Sequence, residues 1–212
     1  MNHRKPRTHV YVDGFNLYYR ALQGTPYRWL DVAALCRALL PSNDIRWIGY
    51  FTARVSNRPD DPDQATRQQI YLRALSTNPI IHIEYGQFLT NKVRAALVDP
   101  PGRGPRTVEV WRTSEKGSDV NLATRMLVHA FREEFEVAVV VSNDSDLAGP
   151  MRVIRDDLHR RVGVLDPSPR ASKSLLAASS FYKHIRRGVI AANQFPEQLT
   201  DGTGAFAKPA AW

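Results

Sequence analysis

Short runs of β-branched and aromatic residues alternate along the chain with segments in which apolar residues recur at helical spacing. The runs are bounded by turn residues and predict strands at residues 8–12, 45–51, 80–85, 107–111, 136–141 and 161–165. The helical spacing predicts helices at residues 30–40, 63–75, 119–131, 147–158 and 172–181. Strands that alternate with helices are typical of a parallel sheet covered on both faces. The pattern therefore predicts a doubly wound α/β domain.

Three segments add detail to this pattern. The run VAVVV at residues 137–141 is apolar at every position, which predicts a central strand buried on both sides. Residues 91–106 combine three prolines and two glycines with four basic residues, so we expect a mobile basic loop there. Residues 196–212 show no periodicity and predict a frayed end or a docking peptide.

Composition and charge narrow the classes of function. The 212 residues are enough for about one domain, and no apolar run approaches the roughly 20 residues of a membrane span, which excludes a membrane protein. The single Cys36 cannot form an intramolecular disulfide or a Cys-based zinc site, and the basic start lacks the apolar segment of a secretory signal. We therefore expect a cytoplasmic protein. The net charge of +8 favours a polyanionic partner such as nucleic acid.

Four aspartates fall at positions that a parallel sheet brings to one edge. Asp13 directly follows the first predicted strand, and Asp144 and Asp146 follow the buried run. Asp119 begins the helix that leads into that run. Ligands of open α/β sheets bind outside the carboxyl ends of the strands. Each aspartate alone is also explained by a helix cap, an Asx turn or a favourable helix dipole.

Taken together, the four carboxylates indicate a cation site. At a separation of about 5 Å, each pair would repel by about 3 kcal/mol at an effective dielectric constant of about 20. Helix dipoles contribute only about 0.3–1 kcal/mol each and do not offset this repulsion. Hard ions such as Mg²⁺ or Mn²⁺ prefer carboxylate oxygens, whereas zinc or copper would favour His or Cys. The histidines show no ligand spacing and are expected to be surface or packing residues, at positions His82, His129, His159 and His184.

Five segments of the sequence resemble the NYN domain in its LabA-like bacterial branch, a relative of the PIN-domain nucleases. They are VYVDGFNLYY, GQFL, EKGSDVNLATRMLVHAF, VVVSNDSDLAGPMRVIR and RVGVLDP. The resemblance covers residues 8–187, which leaves a basic arm at residues 1–7 and a tail at residues 188–212. It implies a three-layer α/β/α sandwich with a mainly parallel, PIN-like central sheet. It also implies an acidic pocket that binds Mg²⁺ or Mn²⁺ and hydrolyses RNA phosphodiesters.

The resemblance carries over to individual positions. The first acid of the family falls on Asp13 with its companion Asn16, the second on Asp119, and the last pair on Asp144 and Asp146. Our hypothesis is that these four aspartates hold the metal, directly or through water, and form the catalytic set with Asn16. The predicted contacts to water, phosphate or substrate are Lys116, Ser142, Asn143, Arg152 and Arg155. The aromatic residues considered for stacking on unpaired bases are Phe15, Tyr18, Tyr19, Phe88 and Trp111.

The function favoured at this point is a metal-dependent endoribonuclease that acts on single-stranded RNA. An RNA-binding or assembly module that retains the acidic pocket without turnover is the alternative. A phosphatase of the haloacid dehalogenase type would need a second aspartate where Phe15 stands, and no GxGxxG follows a strand to support a Rossmann-type nucleotide site. The sequence leaves open the class of RNA, DNA as a substrate, and the oligomeric state, with a homodimer among the options.

Overall fold

The computed structural model describes residues 4–212. The strands are β1 (Arg7–Asp13), β2 (Asp44–Thr52), β3 (Ile81–Tyr85), β4 (Gln87–Ala96), β5 (Thr107–Lys116), β6 (Val137–Val141), β7 (Arg161–Asp166), β8 (Phe181–His184), β9 (Gln198–Asp201) and β10 (Gly204–Ala207). The helices are α1 (Gly14–Leu17), α2 (Val32–Leu39), α3 (Gln64–Ser76), α4 (Ser118–Phe131), α5 (Ala148–Arg152), α6 (Lys173–Ala178) and α7 (Arg187–Ala192). Turns of π-helix follow α1 and α5, and a 3₁₀ turn precedes α5.

Six strands form a central sheet in the order β3-β2-β1-β6-β7-β8, and every neighbouring pair is parallel. The chain first adds strands on one side of β1 and then, from β6 onward, on the other side. The order therefore reverses between β1 and β6, which lie side by side at the centre. This is the topology of a doubly wound sheet, and it confirms the predicted α/β class.

Helices cover both faces of the sheet because the central strands are apolar on both sides. In β1, Val10 and Val12 pack into one core with α2 and α3, whereas Tyr11 packs into the other with α4 and α5. All five residues of β6 are buried, as predicted for a central strand. The result is a helix, sheet and helix arrangement consistent with the PIN-like sandwich that the sequence implied.

The prediction of a mobile loop at residues 91–106 is wrong for its first part. Residues 91–96 belong to β4, which pairs with β5 as a separate antiparallel ribbon, so the predicted strand at residues 107–111 lies outside the central sheet. Cross-strand side chains stabilise the ribbon. The hydroxyls of Thr90 and Thr113 lie 2.9 Å apart, and the Lys92 ammonium lies 5.1 Å from the centre of the Trp111 ring. Only residues 97–106 connect the two strands.

Two other predicted elements differ in detail. The predicted helix at residues 147–158 is a short α5 flanked by 3₁₀ and π turns, and Pro150 lies in its first turn, where the missing N–H costs nothing. The predicted helix at residues 172–181 ends at Ala178, and Phe181 begins the edge strand β8.

The last part of the chain packs against the domain. Strands β9 and β10 form a hairpin, and Arg73 of α3 donates hydrogen bonds to both carboxylate oxygens of Asp201 at 2.7 and 2.8 Å. The Arg73 guanidinium also lies 4.1 Å from the centre of the Phe206 ring. These contacts describe a docked segment, one of the two outcomes expected for residues 196–212.

Within residues 4–212, no helix combines the length and the apolar character that crossing a bilayer requires.

Candidate active site

The sheet places its functional edge where the strand order reverses. Asp13 is the last residue of β1, and residues 142–144 directly follow β6, its neighbour in the sheet. Because the two strands are parallel, both carboxyl ends open at the same edge. A crevice at this position is the usual ligand site of a doubly wound sheet.

Asp13 is buried and held by two hydrogen bonds. The residue is only 5% exposed. Its Oδ1 accepts a hydrogen bond from the Asn16 backbone amide at 2.9 Å, and its Oδ2 accepts one from the Ser142 hydroxyl at 3.0 Å. The first bond caps α1. Ser142 Oγ in turn accepts from the Asp144 amide at 3.0 Å. One hydroxyl therefore fixes Asp13 and the Asp144 backbone relative to each other.

The two predicted asparagines connect the loops around the site. Asn16 Oδ1 accepts from the Asn143 amide at 3.0 Å. The Asn143 side-chain amide donates to Asp166 Oδ2 at 2.7 Å and to the Arg170 carbonyl at 3.1 Å. Buried Asp166, which also accepts from the Tyr182 hydroxyl, was not identified from the sequence. Both asparagines thus hold backbone in place, and their predicted contacts to water or phosphate stay predictions.

Further carboxylates reach the site from the end of β5 and the start of α4. Gly117 adopts a positive φ of 97° immediately before the helix, and Asp119 lies in the first helical turn. Glu115, at the end of β5, accepts hydrogen bonds from the Ser118 amide at 3.0 Å and from its hydroxyl at 2.9 Å. Sequence analysis missed Glu115, although it stands four positions before Asp119 in the segment EKGSD.

These elements enclose a pocket of about 410 Å³, which we call the acidic pocket. Its lining residues are Asp13, Phe15, Asn16, Tyr19, Arg20, Phe88, Glu115, Ser118, Asp119 and Asp144. Asp146 is exposed beside the pocket, and its amide donates to Asp144 Oδ1 at 3.0 Å. None of the five predicted substrate contacts lines it, namely Lys116, Ser142, Asn143, Arg152 and Arg155. Arg155 instead donates to its neighbour Asp156 at 2.7 Å and to the Ala177 carbonyl at 2.6 Å.

The pocket carries an excess of negative charge. The pKa of Asp13 is raised to about 6, mainly by burial and to a smaller extent by the charges of Asp119 and Asp144, against the hydrogen bonds from Asn16 and Ser142. Burial also raises the pKa of Asp119, followed by the charges of Asp144, Glu115 and Asp146. Arg20 is the cation among the lining residues. Four lining carboxylates against one guanidinium leave a charge that a cation would offset.

The donor set fits a hard divalent ion. Asp13, Glu115, Asp119 and Asp144 offer oxygen ligands, which Mg²⁺ and Mn²⁺ prefer. Within residues 4–212, no three of these carboxylates offer oxygens within 4.8 Å of one another. Mg²⁺ commonly binds through one or two carboxylates and retains several waters, so this spacing suits a partly hydrated ion.

A different cluster does bring three potential ligand atoms within 4.8 Å of one another, and its residues are His9, His129 and Glu134. His129 Nδ1 lies 2.9 Å from the Tyr11 hydroxyl and 3.3 Å from His9 Nδ1, so hydrogen bonding accounts for these close approaches. His9 and Asp13 are four residues apart in β1, which separates their backbones by about 13 Å. The cluster therefore lies outside the acidic pocket. His129 was expected to be either a surface or a packing residue, and its burial makes it a packing residue.

Comparison with known proteins agrees with this architecture. The NYN domain profile matches residues 7–185. The chain belongs to the NYN family. NYN domains are PIN-like, and members of the family are typically nucleases. A nuclease-type function is therefore the general expectation for this NYN domain.

Two individual proteins are similar to this NYN protein. The 6-hydroxy-3-succinoylpyridine 3-monooxygenase HspA of Pseudomonas putida is 35% identical over 236 aligned positions, which cover 97% of this chain and 75% of HspA. A crystal structure of a Vibrio parahaemolyticus protein of unknown function superposes with a TM-score of 0.54 at 18% identity. The superposition covers 88% of this chain and 96% of the Vibrio chain, and it supports the fold alone.

Proposed function

We propose that the protein is a Mg²⁺- or Mn²⁺-dependent ribonuclease that cleaves single-stranded RNA internally in the acidic pocket. The observation that carries the proposal is the convergence of Asp13, Asp119 and Asp144 on one pocket between the adjacent strands β1 and β6. Membership of the NYN family supports it. The assignment to the LabA-like branch, the cytoplasmic location and the boundaries of the arm, domain and tail stay predictions.

In this proposal the residues divide the work of phosphodiester hydrolysis. Asp13, Asp119, Asp144 and the exposed Asp146 would hold the ion, directly or through water. A bound divalent ion supplies a nucleophilic water near neutral pH and offsets charge on the phosphate oxygens. Ser142 fixes the position of the Asp13 side chain relative to the Asp144 backbone through its two hydrogen bonds. Arg20, which sequence analysis missed, is the lining cation available to a substrate phosphate.

Aromatic side chains at the pocket suit an unpaired strand. Phe15 and Tyr19 stack with ring centres 6.2 Å apart and an interplanar angle of 18°, and Phe88 meets Phe15 edge-on at 5.8 Å. All three line the acidic pocket, and Tyr19 is 53% exposed. Exposed rings beside a phosphate site favour stacking on unpaired bases. Trp111, also considered for stacking, lies on the β4–β5 ribbon and is 68% exposed.

The direct test is cleavage of labelled single-stranded RNA by the purified protein with Mn²⁺, Mg²⁺ or EDTA. We expect cleavage with either ion and none in EDTA, with a matched single-stranded DNA cleaved more slowly. Binding of RNA without cleavage under any of these conditions would favour the module that lacks turnover. Cleavage that persists in EDTA would contradict the metal dependence.

A second candidate function follows from the similarity to HspA, which extends over 97% of this chain. In this alternative the protein hydroxylates a pyridine that bears an acidic side chain. The assay is incubation with 6-hydroxy-3-succinoylpyridine in air with a reduced nicotinamide cofactor, followed by chromatography of the products. Product formation by a preparation that does not cleave RNA would replace the ribonuclease proposal.

Substitution of Ser142 by Ala tests the positioning of the ligands. The variant loses the hydroxyl that donates to Asp13 and accepts from the Asp144 amide. Residues that orient metal ligands typically contribute about 10–100-fold to metal affinity. We expect the Mn²⁺ concentration for half-maximal cleavage to rise by this factor, with a smaller effect on the rate at saturating Mn²⁺. Ser145→Ala, at an exposed neighbouring serine, is the matched control and should leave the Mn²⁺ dependence unchanged.

A further inference from the structure

A second cavity adjoins the acidic pocket, and six of its sixteen lining residues are aromatic. Its volume is about 100 Å³. We call it the aromatic cavity, and its ring-bearing lining residues are Phe15, Tyr18, Tyr19, Tyr50, Tyr71 and Trp212. For comparison, an engineered apolar cavity of about 150 Å³ holds one benzene molecule. The aromatic cavity is smaller than this, so it takes at most one six-membered ring inserted in part, and it is too small for a fused purine without movement of its walls.

The last residue of the described chain forms one wall of this cavity. The Trp212 ring lies 5.6 Å from the Tyr71 ring and 6.3 Å from the buried Trp29 ring, both edge-on. The Trp29 indole N–H donates to the Pro196 carbonyl at 2.7 Å, which holds the preceding segment in place. The Tyr71 ring is itself fixed, because its hydroxyl donates to the Leu30 carbonyl at 2.9 Å. Trp212 thus presents an aromatic face next to a rigid set of rings.

Two arginines and one aspartate are the charged residues that line the cavity. Arg67 donates to Asp61 at 2.6 Å, so its charge is already offset. Arg28 donates to the Ala211 carbonyl at 2.5 Å and lies with its guanidinium carbon 5.8 Å from the centre of the Trp212 ring. In the part of the chain from residue 4 to residue 212, no carboxylate pairs with Arg28, and its buried Nε has no hydrogen-bond partner. Since Nε is closed to solvent, a ligand anion in the cavity would offset the charge of Arg28 through the terminal N–H groups of the guanidinium.

The two cavities share a wall. Phe15 and Tyr19 line both the acidic pocket and the aromatic cavity. Gly14, between Asp13 and this wall, also lines the aromatic cavity, and a side chain on it would meet the Phe51 carbonyl at 2.8 Å. A ligand in the aromatic cavity therefore lies one side-chain layer from the carboxylates.

We propose that the aromatic cavity binds one planar six-membered nitrogen heterocycle that carries an anionic substituent. The ring lies against Trp212 and the tyrosines, and the anion accepts from Arg28. A neutral ring alone would leave the Arg28 donor unpaired, and an anion alone would leave the aromatic faces uncovered. The structure thus favours a ligand that has both parts.

Two ligands share this chemistry. One is a pyrimidine nucleotide of a bound strand, whose neighbouring phosphate would lie toward the acidic pocket. The other is a free heteroaromatic acid such as a pyridine carboxylate. The site requires neither metal nor catalysis, so its test is independent of the ribonuclease proposal.

The experiment is a fluorescence titration of the full chain in EDTA, with Trp111→Phe as the background to remove the most exposed tryptophan. The probes are uridine 5′-monophosphate, pyridine-3-carboxylate, uridine and ribose 5-phosphate. We expect at least one of the first two to quench the tryptophan emission saturably with a Kd below about 1 mM. Uridine lacks the anion and ribose 5-phosphate lacks the ring, and each should bind at least about tenfold more weakly than the nucleotide.

Variants separate the proposed site from nonspecific binding. Arg28→Gln should weaken binding of the effective probe by about tenfold or more, whereas Arg37→Gln, at an exposed arginine of α2, should not change it. Trp212→Ala is the second variant, with calorimetry as its readout, and should weaken binding similarly. Absence of saturable binding by both anionic probes, or equal binding to wild type and to both cavity variants, would overturn the proposal. Binding of the nucleotide alone would identify the strand as the source, and binding of the pyridine acid alone would identify the free acid.

Discussion

Replacement of Asp13 by Asn is expected to lower the rate of Mn²⁺-dependent RNA cleavage by about a thousandfold while the protein stays folded. Asn keeps the shape of the side chain and an oxygen that can accept from the Asn16 amide. It removes the buried negative charge that would hold the ion. Because Asp119 and Asp144 repel this charge in the absence of metal, we expect the melting temperature in EDTA to be unchanged or higher. Initial rates and thermal melts measure the two effects.

Asp60→Asn is the matched control for this substitution, since Asp60 is exposed and does not line the acidic pocket. It should change neither the rate nor the melting temperature. An Asp13→Asn protein that cleaves RNA at the parental rate would remove Asp13 from the metal site. A protein that loses activity only because it unfolds would instead assign Asp13 a structural role at the start of α1.

The fold and the core of the site were predictable because they depend on short, strong signals. The run VAVVV could only be a central strand, and acids that follow parallel strands must meet at one edge. Asp13 and Asp144 converge for this reason. Asp119 joins them because α4 begins at the same edge, directly after the β4–β5 ribbon.

The remaining features depend on contacts that the sequence pattern does not encode. The β4 strand is mostly exposed and rich in polar residues, so it shows no clear alternation, and the sequence pattern predicted only the first half of its partner β5. Glu115 reaches the pocket because that ribbon ends beside it. Arg20 lies in the π turn that follows α1, and the sequence pattern predicted neither element. The pairing of His9 with His129 joins residues 120 positions apart.

The pairing of His9 leads to the second large expected effect, a loss of stability on acidification. His9 is 6% exposed, and burial is the main cause that lowers its pKa from 6.5 to about 4. His129, Arg7 and His82 face it with charges that lower the pKa further, and the Trp47 ring packs 5.5 Å away. The unfolded chain binds a proton below about pH 6.5, whereas the folded protein does so only near pH 4. The free energy of unfolding therefore falls by about 3 kcal/mol on account of His9 as the pH falls from about 6.5 to about 4. Above that range His9 does not change it.

Denaturant unfolding of wild type and His9→Gln at a series of pH values measures this effect. Gln can still hydrogen-bond to His129 but does not titrate, so its free energy of unfolding should fall less steeply between about pH 6.5 and pH 4. Groups such as Asp13, whose raised pKa acts in the opposite direction, are present in both proteins and cancel in the difference. His184→Gln, at an exposed histidine of β8, is the control and should follow the wild-type slope. Equal slopes for all three proteins would contradict the lowered pKa of His9 and with it this prediction.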